Sequence, residues 1–316
     1  MIKWFLGNRP IVLLLLPLIV GFFVLTEYFV NGGAGLPKEV GLFGNIESVN
    51  VILVLIFSIV VVSFIGIRAA RLFNTNGFSD KNTYITALLY VCTFAMFTTF
   101  FGISSATIST VFLLLMLIQL FRLQQNMEGK KQVFNAGIFY GLAICFTPKL
   151  LFLVPIIYAL AITIRPFKLR ELILTLTGIA VPLLYVVLAY SFLDLEVFFN
   201  FDAPDQTRDV FPLEKLTTVF LLVVIVLAAF ASVFSSRFTT SIRTKKIARI
   251  LVVFTIGLFL LGLYEFLFFG ELGLMSLVSL PLSLLFSITF MNSRAQLFGK
   301  ILLYLILALV TVKFFI

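Results

Sequence analysis

The sequence predicts an all-α protein, a polytopic bundle of transmembrane helices. Of the 316 residues, 61% are hydrophobic, and the mean hydropathy is +1.17. Apolar runs separated by short gaps recur along the whole chain, and a helix of about 20 apolar residues crosses a bilayer core. These runs are apolar on every face, whereas membrane-spanning strands alternate apolar and polar residues. Helices therefore satisfy the backbone hydrogen bonds inside the membrane.

Eleven of the apolar runs are predicted to span the membrane within a single domain, residues 1–316. They are Ile11–Val30, Val49–Ile67, Thr83–Phe101, Ala106–Phe121, Val133–Thr147, Leu150–Ile164, Leu172–Phe192, Leu216–Ser235, Ile250–Phe269, Leu272–Phe290 and Gly299–Ile316. The first run is expected to be an uncleaved span, since bulky residues follow it where a signal peptide has a small-residue cleavage site. Residues 31–48 and 193–215 are predicted as outer loops, and residues 236–249 as a basic cytoplasmic loop.

The distribution of cations predicts the orientation. Eighteen of the 23 Lys and Arg residues fall into alternate gaps, and only Lys38, Lys149, Arg208, Lys215 and Lys313 do not. Positive residues collect on the cytoplasmic side, so the N-terminus is predicted to be cytoplasmic and the C-terminus to lie outside. Because the cations are spread over six gaps, the pI near 9.6 needs no nucleic-acid partner to explain it.

The absence of His and the positions of the two Cys residues exclude several kinds of site. The chain contains no His, which excludes His-ligated metals, His-ligated haem and His acid–base catalysis. Cys92 and Cys145 both lie within apolar runs, with a spacing that fits neither a disulfide framework nor a zinc site. We expect both to be small buried side chains in the core.

Lys149 is the first candidate binding residue. The runs on either side of Pro148-Lys149 have about 15 residues each, or roughly 22 Å of helix, which is short of the bilayer core. The turn between them is therefore expected to lie below the outer surface, where a cation needs a partner. A lipid-linked phosphate would supply one. The alternative is a turn at normal depth, whose Lys extends to the outer headgroups.

Acidic residues supply the other candidates. Glu265, within the ninth run, could be a proton carrier, a catalytic carboxylate or the ion-pair partner of Lys149; the alternative is an interface residue hydrated from the outer loop. Asp202, Asp205 and Asp209 could hold Mg²⁺ or Ca²⁺, although their spacing does not fit the calcium loop of EF-hands. The alternative for these three is a solvated acidic loop.

Two neighbouring segments carry a family resemblance. Asn135–Ala143 contains Gly-x-x-x-Gly-Leu-Ala, and Thr147–Pro155 opens with Thr-Pro-Lys. This arrangement resembles the central helices of polyprenyl-phosphate-dependent glycosyltransferases of the GT-C fold, and the similarity extends over residues 83–192. The resemblance implies a GT-C-like core with Lys149 near a lipid phosphate. The Phe-rich composition also resembles an uncharacterised family of inner-membrane proteins from Bacteroidota.

The first outer loop departs from the GT-C pattern, in which catalytic acids there usually include Asp. This loop offers only Glu39 and Glu47, after Glu27 in the first span. The leading hypothesis is therefore a non-catalytic GT-C-like protein of the bacterial inner membrane, a lipid-binding or scaffolding subunit of an envelope complex. Its expected partners are membrane lipids, including a polyprenyl phosphate, and other membrane proteins.

Two alternatives remain open. In a glycosyltransferase acting at the outer face, Glu39 or Glu47 would be the general base toward an acceptor hydroxyl, Lys149 would hold the lipid phosphate, and the three Asp residues would hold a divalent ion. In a proton-coupled transporter, Glu265 would carry the proton. The chain shows no internal repeat and its eleven spans do not form equal halves, which disfavours the transporter.

Overall fold

In a computed structural model, the protein is helical apart from short connections in the part of the chain that the structure describes. That part comprises residues 2–30, 42, 51–78, 82–97, 104–123, 129–164, 169–192, 213–235, 242–291 and 295–315. It contains no strand. Its α-helices are α1 (Ile2–Phe5), α2 (Leu15–Val30), α3 (Val51–Thr75), α4 (Ile85–Ala95), α5 (Ser105–Leu123), α6 (Lys130–Phe146), α7 (Val154–Ile164), α8 (Leu169–Phe192), α9 (Leu213–Ser235), α10 (Ile242–Phe269), α11 (Ser279–Met291) and α12 (Gln296–Phe315). The prediction of an all-α fold is confirmed.

Seven helical segments in the described residues are long and apolar enough to cross a membrane. They are Pro10–Phe29, Val51–Thr75, Ser105–Leu123, Leu169–Phe192, Lys215–Phe234, Thr244–Phe269 and Leu274–Met291. Three shorter apolar helices are Ile85–Ala95, Pro148–Thr163 and Gln296–Val312. Each of the eleven predicted runs coincides with a helix, so a multi-pass membrane protein is supported. The count of eleven crossings, the GT-C-like core and the orientation stay predictions.

Helix ends differ from the predicted ends of the runs. α10 begins at Ile242, so the basic segment 236–249 is helical over its second half rather than a loop. α9 likewise begins at Leu213, within the predicted outer loop 193–215. Lys and Arg are good helix formers, so a helix continues past the point where hydropathy falls. Apart from Leu42, the predicted outer loop 31–48 lies outside the described residues.

The described helices divide into two compact units, and the single domain predicted for residues 1–316 stays a prediction. One unit contains α1–α4 and α9–α12, and the other contains α5–α8. In the first unit, every residue of α4 is buried, as is α11 from Ser279 to Phe290. α11 packs against α4, α9, α10 and α12. A helix that is apolar on all sides is typical of such a central position.

The connection between α3 and α4 is closed by one side chain. Asn74 Nδ2 donates to the Thr83 carbonyl oxygen at 3.0 Å, and the Thr83 backbone N donates to Asn74 Oδ1 at 3.1 Å. Gly77 takes a φ of 69°, a left-handed conformation suited to the end of a helix. This pair of hydrogen bonds joins the end of α3 to the residues that precede α4.

In the second unit, α6 and α8 meet at glycines. A Cβ added to Gly137 would lie 2.5 Å from the Thr175 carbonyl oxygen, and one added to Gly178 would lie 2.5 Å from the Phe134 carbonyl oxygen. A Cβ on Gly141 would lie 2.5 Å from the Ile179 carbonyl oxygen. Small residues at this spacing let membrane helices approach until their backbones touch.

We expect Gly137→Ala to destabilise the protein by about 1–3 kcal/mol, because the new methyl group meets backbone atoms that cannot move aside. Thermal unfolding of the detergent-solubilised protein measures this loss. Gly21→Ala is the matched control, since its nearest neighbour would be the Ile59 Cδ1 atom at 3.7 Å. Alanine has a higher helix propensity than glycine, so Gly21→Ala should keep or raise the stability of the protein. Equal melting temperatures for both variants would contradict the close α6–α8 contact.

Candidate functional site

Lys149 lies in a tight connection between α6 and α7. α6 ends at Phe146, and a 3₁₀ helix, Pro148–Leu153, follows it and leads directly into α7. Pro148 begins this helix because its fixed φ suits a first helical position, where no backbone donor is needed. The predicted two-residue turn is thus the start of a six-residue 3₁₀ helix. Lys149 is half-buried, whereas Leu151 and Phe152 are 45% and 60% exposed.

Hydrogen bonds from α5 and α6 hold the two ends of this connection. The Tyr140 hydroxyl donates to the Leu150 carbonyl oxygen at 2.5 Å. Ser109 Oγ on α5 donates to the Ala143 carbonyl oxygen at 3.0 Å and lies 2.8 Å from Thr147 Oγ1. All of these hydroxyl groups are buried, so water does not compete for them. The backbone on both sides of Lys149 is therefore fixed by the neighbouring helices.

This arrangement joins a cation to an exposed apolar surface. An ammonium group is a compact charge with three donors, and it suits the oxygens of a phosphate. Leu151 and Phe152, within three residues of Lys149, expose large apolar side chains. An amphiphile with an anionic head and a hydrocarbon chain matches both features.

Glu265 makes a contact that the sequence did not predict. Its side chain is only 4% exposed, and Oε2 accepts a hydrogen bond from the backbone N of Leu274 at 2.6 Å. Leu274 is the first residue of a 3₁₀ helix, Leu274–Val278, that continues into α11. A helix N-terminus has unsatisfied N–H groups and favours an anion. Glu265 therefore caps the helix that leads into α11, and its roles as proton carrier, catalytic carboxylate or interface residue stay predictions.

A lysine provides the complementary cap at the end of α10. Gly270 takes a φ of 64°, and its backbone N donates to the Phe266 carbonyl oxygen at 2.9 Å. Lys215 Nζ, from α9, donates to the Gly270 carbonyl oxygen at 2.8 Å. The C-terminus of a helix carries a partial negative charge, so a cation there is favourable. No sequence pattern pairs these two residues, because they are 55 positions apart.

The remaining predicted site residues are not brought together by the described structure. Glu39, Glu47, Asp202, Asp205 and Asp209 lie outside the described residues. Lys149 and Glu265 belong to different units, so their predicted ion pair stays a prediction. Among the residues with described positions, no three acidic or Cys side chains form a group that could hold a metal ion. Glu27, in α2, is buried.

We expect Glu265→Ala to lower the free energy of unfolding by about 1–3 kcal/mol, because it leaves the Leu274 N–H buried without its acceptor. Glu265→Gln keeps an oxygen at this position and should lose less. The matched control is Glu271→Ala, which removes an exposed carboxylate six residues later and should change stability by less than about 0.5 kcal/mol. Chemical unfolding of the purified protein measures all three. A loss for Glu271→Ala as large as that for Glu265→Ala would contradict the capping role.

The chain was compared with protein-family models, with curated proteins and with solved structures. No family model, no curated protein and no solved structure matches it. The resemblance to GT-C glycosyltransferases stays a prediction from the residues that carry it.

Proposed function

We propose that this chain is a multi-pass protein of the bacterial inner membrane that binds an anionic lipid at the Lys149 connection and serves as a non-catalytic subunit of an envelope complex. One observation carries the proposal. A half-buried ammonium group stands on a connection fixed by buried hydrogen bonds, next to exposed apolar side chains.

The chemistry of this connection favours a lipid over a soluble anion. A soluble phosphate would gain nothing from Leu151 and Phe152, whereas a hydrocarbon chain buries apolar surface against them, at about 25 cal/mol per Å². The resemblance of Asn135–Ala143 and Thr147–Pro155 to GT-C proteins points to a polyprenyl phosphate as the lipid. Such a lipid has a phosphate for Lys149 and a long branched chain for the apolar side chains.

Two observations support a non-catalytic role. The first outer loop contains no Asp, the residue that GT-C enzymes usually place there. Glu265, the only acidic candidate among the described residues, is used as a helix cap. A carboxylate that holds a helix end is less available as a proton carrier, which also disfavours the transporter. A scaffolding subunit needs neither a general base nor a proton path.

Lys149→Ala should reduce the amount of polyprenyl phosphate that remains bound after gentle detergent extraction by about tenfold, the loss expected for one charge-assisted hydrogen bond. Native mass spectrometry of the purified protein measures bound lipid. Lys130→Ala is the matched control, because it removes an exposed ammonium at the start of α6 and should leave lipid binding unchanged. Lys149→Arg keeps the charge and should retain most of the lipid.

Two results would overturn the proposal. Equal lipid retention in the Lys149→Ala and Lys130→Ala variants would show that the connection is not the lipid site. Turnover of a polyprenyl-phosphate sugar by the purified protein, abolished in Glu39→Gln or Glu47→Gln, would show that the protein is an enzyme. The same mass spectra report partner chains, and stoichiometric partners would support the scaffolding role.

A further inference from the structure

Buried hydroxyl groups in the first unit are, with few exceptions, bonded within the protein. On α11 and the 3₁₀ helix before it, Ser276, Ser279, Ser283 and Ser287 all donate to carbonyl oxygens three or four residues earlier. Ser287 Oγ also lies within hydrogen-bond distance of Thr86 Oγ1 on α4, at 2.8 Å. This pattern is usual in an apolar interior, where an unbonded hydroxyl is costly.

Three hydroxyl groups on one pair of helices break this pattern. Ser63 Oγ on α3, Tyr90 Oη on α4 and Thr83 Oγ1 just before α4 are buried, and none of them has a hydrogen-bond partner among the described residues. The fourth such atom in the described residues is Gln132 Oε1, on α6. α3 and α4 pack against each other, so the three exceptions belong to one helix pair.

Two of the three, Ser63 and Tyr90, belong to neighbouring turns of this pair. Asn74 bonds to Thr83, and a Cβ on Gly66 would lie 3.4 Å from the Ala87 carbonyl oxygen and 3.6 Å from Tyr90 Cδ1. Residue numbers fall along α3 while they rise along α4 from one contact to the next, so the two helices are antiparallel. Ser63 is about one turn beyond Gly66 in this direction. The Tyr90 ring therefore lies against the Gly66 turn of α3, next to the turn that carries Ser63.

We propose that an ordered water molecule binds between α3 and α4 and bridges the hydroxyl groups of Ser63 and Tyr90. Each hydroxyl can donate one hydrogen bond and accept others, and water has the same two capacities. A buried water typically makes about three hydrogen bonds, and the Ala87 carbonyl oxygen, which faces α3, offers a third partner. The site lies in a different unit from Lys149, so its test does not depend on the proposed lipid site.

The effect of removing the Tyr90 hydroxyl tests this site. If water bonds to it, Tyr90→Phe breaks a hydrogen bond and should lower the melting temperature of the purified protein by a few degrees. Tyr140→Phe is the matched reference: it makes the same chemical change at a buried phenol with a protein acceptor, and it should show a similar decrease. If the Tyr90 hydroxyl has no partner at all, Tyr90→Phe removes a penalty, and an unchanged or raised melting temperature would overturn the proposal.

A double substitution distinguishes a shared water from separate partners. When one water bridges two groups, losing the first weakens the second, so Tyr90→Phe with Ser63→Ala should lower the melting temperature by less than the two single decreases added together. Additive decreases would overturn the bridge. A structure in lipid nanodiscs at a resolution that shows water should place one density peak within hydrogen-bond distance of both oxygens. A Tyr90 hydroxyl bonded directly to a backbone carbonyl would also reject the site.

Discussion

A polar group inside this protein needs a hydrogen-bond partner in the protein or in an ordered water molecule, because neither apolar side chains nor a surrounding hydrocarbon layer supplies one. The constraint is most severe where a helix stops, since its last carbonyls and first N–H groups lose their partners in the helix. Three side chains supply such a partner. Glu265 accepts a hydrogen bond from the first N–H of the Leu274–Val278 helix, and Lys215 donates one to the Gly270 carbonyl oxygen. Tyr140 donates one to the Leu150 carbonyl oxygen. A side chain from another turn or another helix reaches the free backbone group. The Glu265 and Lys215 contacts hold helix ends in the first unit, and the Tyr140 contact holds the backbone beside Lys149 in the second.

The two units use different means of packing. In the first, α4 and α11 are enclosed on all sides, and hydroxyl side chains on α11 bond to their own helix, which leaves their apolar parts to pack. In the second, glycines let α6 and α8 approach until backbone atoms meet, and the side chain of Pro182 also lies at the contact. The first arrangement leaves a few hydroxyl groups that must be satisfied across a helix boundary.

The sequence predicted the helices well and the site partners poorly, for a physical reason. Each apolar run is long enough to be recognised by itself, so every predicted run coincides with a helix. Helix ends were harder to predict: hydropathy marks the edge of an apolar layer, whereas a helix such as α10 continues through Lys245 and Lys246. Lys149 was predicted at a turn because Pro148 precedes it. Glu265 could not be predicted as a cap, and Lys215 could not be paired with Gly270, because these contacts depend on the three-dimensional approach of segments.

The glycine contact between α6 and α8 has one more consequence. At Gly137 and Gly178 the hydrogen atom on Cα takes the direction of the missing side chain, and that direction leads to a carbonyl oxygen of the opposite helix. Such carbon-bound hydrogens act as weak donors, so the two backbones attract each other reciprocally. This attraction needs no side-chain rotamer to be ordered and no apolar surface to be withdrawn from water. The pairing of α6 with α8 therefore rests on contact between the backbones themselves.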